Sequence, residues 1–277
     1  MGKLKEHLSK KIPDWRYNYR QLLDEKGDQV TSTVTINTAY SGMKGVKGMI
    51  CDTSSVTADA GLHVRGKHIL DLVDLKPEEI LYLLLIGELP NEEELLDLQH
   101  ELKERSVVPD YVWKVLSGMP KDSHPMAMFN TAILSMQKES KFAEAYDLVV
   151  SKGDYWESTL EDGLNIIAKL PAIGAAVYRL RFEKGDRLEA GDSVDWSENF
   201  LQMMGLDYSN DMLKMMQLYL MLHCDHEGGN VSTFSALTVN SALSDPYYSL
   251  SAGLNGLAGP LHGLANQNNL KLSLIHI

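Results

Sequence analysis

Pro77-Glu-Glu-Ile-Leu-Tyr-Leu-Leu-Leu85, closed by Gly87 and Pro90, leads into Asn91-Glu-Glu-Glu-Leu-Leu-Asp-Leu-Gln-His-Glu-Leu102, and these two segments decide the fold class. Proline at a first helical position loses no hydrogen bond and presets the backbone, while glycine followed by proline stops the helix. Asn91 is a helix cap, and Glu92-Glu93-Glu94 complements the positive end of the helix dipole. Leu95, Leu98 and Leu102 then recur at helical spacing and form an apolar stripe.

The same signals extend outward and predict helices over residues 125–138, 142–151, 157–169, 172–182, 196–204, 211–223 and 232–243. Asp245-Pro246 after Ser244 marks a helix start or a turn. Strand signals are confined to the front of the chain. Val30, Ser32, Val34 and Ile36 alternate with Thr31, Thr33 and Thr35, the period of a strand, and the stretch carrying Gly42, Gly45, Gly48, Gly61 and Gly66 reads as strands and turns. Many helices with short connections predict an all-α architecture with a minor N-terminal β element.

Composition narrows function. A formal net charge of −12 over 277 residues disfavours nucleic acid or an anionic membrane as partner, since both select clustered Lys and Arg. No apolar run reaches the roughly 20 residues of a spanning helix. Cys51 and Cys224 have no paired or metal-ligand spacing, so they read as structural thiols of a reducing compartment. The methionines at 203, 204, 212, 215, 216 and 221 read as packing.

Two histidine-bearing glycine segments carry the chemistry. His223-Cys-Asp-His-Glu-Gly-Gly-Asn230 follows a Met- and Leu-rich helix, so its polar side chains are presented at a helix end. Gly228 and Gly229 permit backbone conformations closed to other residues, and Asn230 is suited to orient a carboxylate or to cap the next helix. A plain helix C-terminus with a glycine stop accounts for the same residues. Zinc binding by His223 and His226 fits less well, because Asp225 and Glu227 point away from the histidine face. In Asn255-Gly-Leu-Ala-Gly-Pro-Leu-His-Gly-Leu-Ala-Asn-Gln267, the glycines and Pro260 argue against an ordinary long helix and for something approaching the backbone closely. There a neutral His262 imidazole can donate one N–H to a developing oxyanion while the main chain fixes its other nitrogen. A satisfied core histidine at a tight turn is the competing reading.

Leu222-His-Cys-Asp-His-Glu-Gly-Gly-Asn-Val-Ser232, Ser241-Ala-Leu-Ser-Asp-Pro-Tyr247 and the Asn255–Gln267 stretch, in that order, resemble citrate synthases of the mitochondrial type. The resemblance extends back through Ala168-Lys-Leu-Pro171, Asp195-Trp-Ser197, Ser123-His-Pro-Met126 and Gly42-Met-Lys-Gly45. It implies a mainly helical homodimer that condenses oxaloacetate with acetyl-CoA and water to citrate and CoA, with acetyl-CoA as co-substrate, no permanently bound cofactor and no metal. It further implies that His262 hydrogen-bonds the thioester carbonyl, that His226 binds oxaloacetate with Asn230 beside it, and that Lys44 meets CoA phosphate where many relatives place arginine. The expected organisation is a large helical domain over 1–262 and the truncated start of a small domain over 263–277. From Asn268 on, the residues depart from the family pattern and read as foreign read-through. A chain of this extent is expected to be inactive alone, lacking the family's catalytic aspartate and arginine clamp. A 2-methylcitrate synthase, a non-catalytic dimerisation fragment and, distantly, a metal hydrolase are the alternatives. The N-terminus suits a bacterial cytoplasmic protein, with the mitochondrial matrix as the alternative if a transit peptide has been removed.

Overall fold

The structure, a computed structural model, describes residues 2–42 and 45–265. In chain order its elements are α1 (Lys3–Lys26), α2 (Ile36–Tyr40), strands β1 (Ser54–Thr57), β2 (Gly61–Val64) and β3 (Lys67–His68), α3 (Pro77–Ile86), α4 (Glu92–Arg105) and α5 (Asp110–Ser117). There follow α6 (Pro125–Ser135), α7 (Lys141–Asp147), α8 (Tyr155–Arg181), α9 (Trp196–Met204), α10 (Asn210–Leu222), α11 (Val231–Asn240) and α12 (Pro246–Leu257). The all-α expectation holds, and the strands form one small antiparallel sheet in the order β1-β2-β3, with Ser54 opposite Val64 and His63 opposite His68. No helix among the described residues is long and apolar enough to cross a membrane. The small-domain start expected over 263–277 lies, from residue 266 on, outside the described residues.

The chain divides into two units. The first runs to Glu101 and includes Ser209–Gly229; it buries Val64, Leu72, Ile80, Leu83 and Met221 in one cluster. The second comprises Leu102–Tyr208 and the chain from Asn230, with Val112, Met128, Ile133, Ile173 and Tyr247 at the centre of its core.

The deciding segments fold as their residues require. The Glu79 carboxylate accepts from the Lys76 N–H at 2.8 Å ahead of Pro77, and Gly87, left-handed at φ +84°, returns its N–H to the Leu83 carbonyl at 2.7 Å. Asn91 and Glu94 close a reciprocal cap: Asn91 Oδ1 accepts from the Glu94 N–H at 3.0 Å, and the Glu94 carboxylate accepts from the Asn91 N–H at 2.8 Å. Leu98 and Leu102 of the predicted stripe are buried.

Two expectations are corrected, and one helix appears that the sequence did not signal. Residues 30–36 form no strand: Val30 and Ile36 are 79% and 77% exposed, and Thr35 instead caps α2, accepting from the Thr38 N–H. Alternation alone makes no strand without a partner edge. Helix α1 was not signalled, because it buries only Leu4 and Leu8 and carries Pro13 in its interior.

The helices expected over 157–169 and 172–182 are one, α8, with Pro171 inside it. Proline has no N–H, so the carbonyl four residues earlier, that of Ile167, loses its helical partner. The indole Nε1–H of Trp196 donates to that carbonyl at 3.0 Å. Helix α9 thus completes α8 at its defect. Trp196→Phe keeps the aromatic packing but orphans the carbonyl, and it should lower unfolding free energy by about 1–3 kcal/mol in urea titration. An unchanged midpoint would contradict this account.

Candidate active site

In the first unit, α10 ends at Leu222, and His223 turns back to place Nδ1 2.6 Å from the Tyr219 carbonyl. The following segment is stitched to the sheet of the same unit. The Glu227 N–H donates to Ser54 Oγ at 2.7 Å, and its carboxylate accepts from the Val56 N–H at 2.6 Å. These bonds hold Glu227 at φ +57°, a left-handed conformation uncommon outside glycine. The special backbone conformation expected of Gly228 and Gly229 therefore falls one residue earlier. Gly228 is buried with Cys51 and Met49 against it, where a Cβ would come within 3.4 Å of Cys51 Cβ, and Gly229 faces open space. Next to this anchored glutamate, His226 presents an exposed imidazole. In the sequence Glu227 figured only in the disfavoured zinc reading. Its function as anchor depends on Ser54 and Val56, more than 170 positions away.

In the second unit, Asn230 is the N-cap of α11: its Oδ1 accepts from the Thr233 N–H at 2.9 Å, and its Nδ2 donates to Thr233 Oγ1 at 3.0 Å. Ser232 Oγ donates to the same Oδ1 at 2.6 Å and lies 2.9 Å from His262 Nε2. Asn230 and His262 are thereby joined through a serine that sequence reasoning passed over.

The glycines near His262 act differently from expectation. Gly253 and Gly256 lie inside α12, which runs helically to Leu257. Their faces receive α11: a Cβ on Gly253 would stand 3.1 Å from the Ser232 carbonyl oxygen, and one on Gly256 3.3 Å from Ser232 Cα. The close approach inferred from these glycines is made by a neighbouring helix backbone. Beyond α12 the chain folds back, with the His262 N–H on the Gly259 carbonyl and the Gly263 N–H on the Leu257 carbonyl, each at 3.0 Å. At the other end of the helix, Asp245 accepts from the Tyr247 and Tyr248 N–H groups, so Asp245-Pro246 is a helix start.

Proton accounting fixes what the triad can do. Asn230 Oδ1 has no proton to give, so the 2.6 Å contact requires the Ser232 hydroxyl to donate to it. Ser232 then has only lone pairs for His262, which must donate Nε2–H; in the neutral ring this leaves Nδ1 as an acceptor. If Ser232 rotates its proton to Nε2, Nδ1 becomes the N–H donor. A hydroxyl, not the main chain, therefore selects the tautomer of His262. Lys44, expected at CoA phosphate, lies outside the described residues, and among those residues no three His, Cys, Asp or Glu side chains gather as metal ligands.

Comparison with known proteins points in one direction. Residues 42–274 match the family model described as citrate synthase, C-terminal domain. The mitochondrial citrate synthase of Saccharomyces cerevisiae is 40% identical over 278 aligned residues, covering 97% of this chain and 58% of the yeast protein. The mitochondrial 2-methylcitrate synthase of Yarrowia lipolytica is 39% identical, covering 97% of this chain and 60% of that protein. Among solved structures, citrate synthase from Thermoplasma acidophilum in ternary complex with carboxymethyl coenzyme A and oxaloacetate aligns with a TM-score of 0.71 at 26% identity, covering 84% of this chain and 58% of that one. The chain thus spans somewhat under two thirds of the length of these proteins.

Proposed function

Because the chain belongs to the citrate synthase family, we propose that it contributes the carbonyl-polarising and oxaloacetate-binding groups of an enzyme that joins acetyl-CoA to oxaloacetate and hydrolyses the resulting thioester with water, releasing citrate and CoA. The observation that carries this reading is the Asn230–Ser232–His262 chain of hydrogen bonds at the N-terminus of α11. Removing an α-proton from a thioester places negative charge on the carbonyl oxygen, and a positioned imidazole N–H stabilises that charge without introducing a mobile ion. His262 Nδ1–H becomes that donor when the Ser232 hydroxyl turns its proton from Asn230 Oδ1 to Nε2, the second of the two arrangements that the network allows. His226, exposed beside the anchored Glu227, supplies a donor for an oxaloacetate oxygen. Asn230 acts on His262 through Ser232, and Lys44 is assigned to CoA phosphate.

Acetyl-CoA is a co-substrate in this reading, no cofactor is permanently bound, and the intact protein is a homodimer with its large helical domain over 1–262. Of the two expected compartments, the mitochondrial one has support in the names of relatives, among which a peroxisomal enzyme of yeast also stands. The 2-methylcitrate synthase reading has one observation in its favour, the similarity to the Yarrowia enzyme.

Thiol release from acetyl-CoA and from propionyl-CoA by the intact protein, each measured with and without oxaloacetate, tests both readings. The expected result is oxaloacetate-dependent release that is faster with acetyl-CoA; release independent of oxaloacetate overturns both. His226→Ala should raise the KM for oxaloacetate by about tenfold or more, the worth of one hydrogen bond to a charged ligand.

A further inference from the structure

The second unit contains a cavity of about 280 Å³ that none of the residues holding His262 lines. Its apolar and aromatic wall is formed by Val108, Trp113, Ala168, Ala172, Trp196 and Met203, and polar atoms make up nearly half of the lining. One polar group in this lining is unmet. Asn199 is only 8% exposed and donates Nδ2 to the Ser193 carbonyl at 2.8 Å, but its Oδ1 accepts no hydrogen bond among the described residues. A buried amide oxygen left without a donor is uncommon in a folded protein and calls for an unseen partner.

The charges at the same cavity are already answered. Arg187 stacks 5.0 Å from the centroid of Trp113 and is ion-paired with Glu189, and the Lys103 ammonium donates to the Asp192 carbonyl. Asp110 and Glu189 balance Lys103 and Arg187 in formal charge around the cavity. Nothing there selects a charged molecule. What the lining offers is indole surface for a flat ring and one acceptor for a single donor.

We infer that this cavity is a binding site for a small, neutral aromatic molecule bearing one O–H or N–H donor, of the phenol or indole class, with Asn199 Oδ1 accepting from it. The site is separate from the condensation chemistry, and its existence does not depend on that reading.

Fluorine NMR titration of the intact protein with 4-fluorophenol and with fluorobenzene tests the inference, because the two probes share a ring and differ in the donor. Saturable binding of both is expected, with 4-fluorophenol tighter by about threefold to tenfold, the value of one hydrogen bond. Asn199→Leu should erase the difference, and Ala172→Phe, which fills the cavity, should abolish saturable binding of either probe. Thermal melts establish that each variant is folded. If Asn199→Leu does not fold, the pair of probes on the unaltered protein and Ala172→Phe still decide. Absence of saturable binding, equal affinity for the two probes, or binding that survives Ala172→Phe in a folded protein overturns the inference.

Discussion

His262→Ala in the intact protein should lower kcat for oxaloacetate-dependent thiol release by about 10²–10³ while changing the KM for oxaloacetate little. The magnitude is that of one donor lost from a developing oxyanion. The two parameters separate because the interaction strengthens as charge forms on the thioester oxygen, whereas oxaloacetate binding is assigned to His226. Ser232→Ala should lower kcat as well, by a smaller factor, since it removes the hydroxyl whose proton can occupy Nε2 and so hold the imidazole in the Nδ1–H tautomer. Steady-state kinetics with both substrates varied will check this. A His262→Ala enzyme whose defect lies wholly in KM would remove the imidazole from the role of carbonyl donor.

The second large effect concerns folding. Asp162, fully buried in α8, receives Ser140 Oγ at 2.8 Å and the Lys141 and Phe142 N–H groups at 2.6 and 3.1 Å, so it caps the start of α7. Asp162→Ala orphans both backbone donors and should cost about 2–5 kcal/mol, the sum of two unsatisfied buried N–H groups. Asp162→Asn, with one acceptor oxygen where two are used, should cost about half as much. Burial pushes the Asp162 carboxyl above its ordinary range; the three hydrogen bonds pull it down and Asp245 adds to the upward push. A carboxyl raised on folding holds its proton in the folded state after the unfolded chain has lost it. Its contribution is therefore complete below the unfolded value of 3.8 and declines as pH rises through the folded one. Urea midpoints across the acid range should show this decline in the unaltered protein and not in either variant. A variant that keeps the same slope would assign it to another group.

Much of the scaffold was legible because its signals are local. Pro77 announces a helix end by its preset backbone, Gly87 and Asn91 by bonds to residues three or four positions away, and Asp245-Pro246, legible as a helix start or a turn, proves to be the start. What failed to show was non-local. The continuity of α8 through Pro171 depends on an indole 25 residues further along, and the left-handed Glu227 depends on two strand residues near the other end of the chain. The alternation at 30–36 was a true local pattern without a strand to receive it. Among the candidate residues, His226, Asn230 and His262 stood out by their glycine-rich surroundings. Ser232 did not, since a serine two residues beyond a cap is ordinary until α12 brings an imidazole to it.

The contact of Gly253 and Gly256 with Ser232 has a consequence for how such a protein can change over generations. Where two main chains touch directly, no rotatable bond lies between them, and their separation is set by van der Waals radii alone. Exchanges of methyl groups throughout the surrounding core can shift side chains and melting temperature, yet they have little leverage on this spacing. Only a side chain appearing at one of the two glycines can pry the helices apart. Lineages descending from this sequence are thus free to remodel most of the bundle while inheriting the separation of these two backbones unaltered.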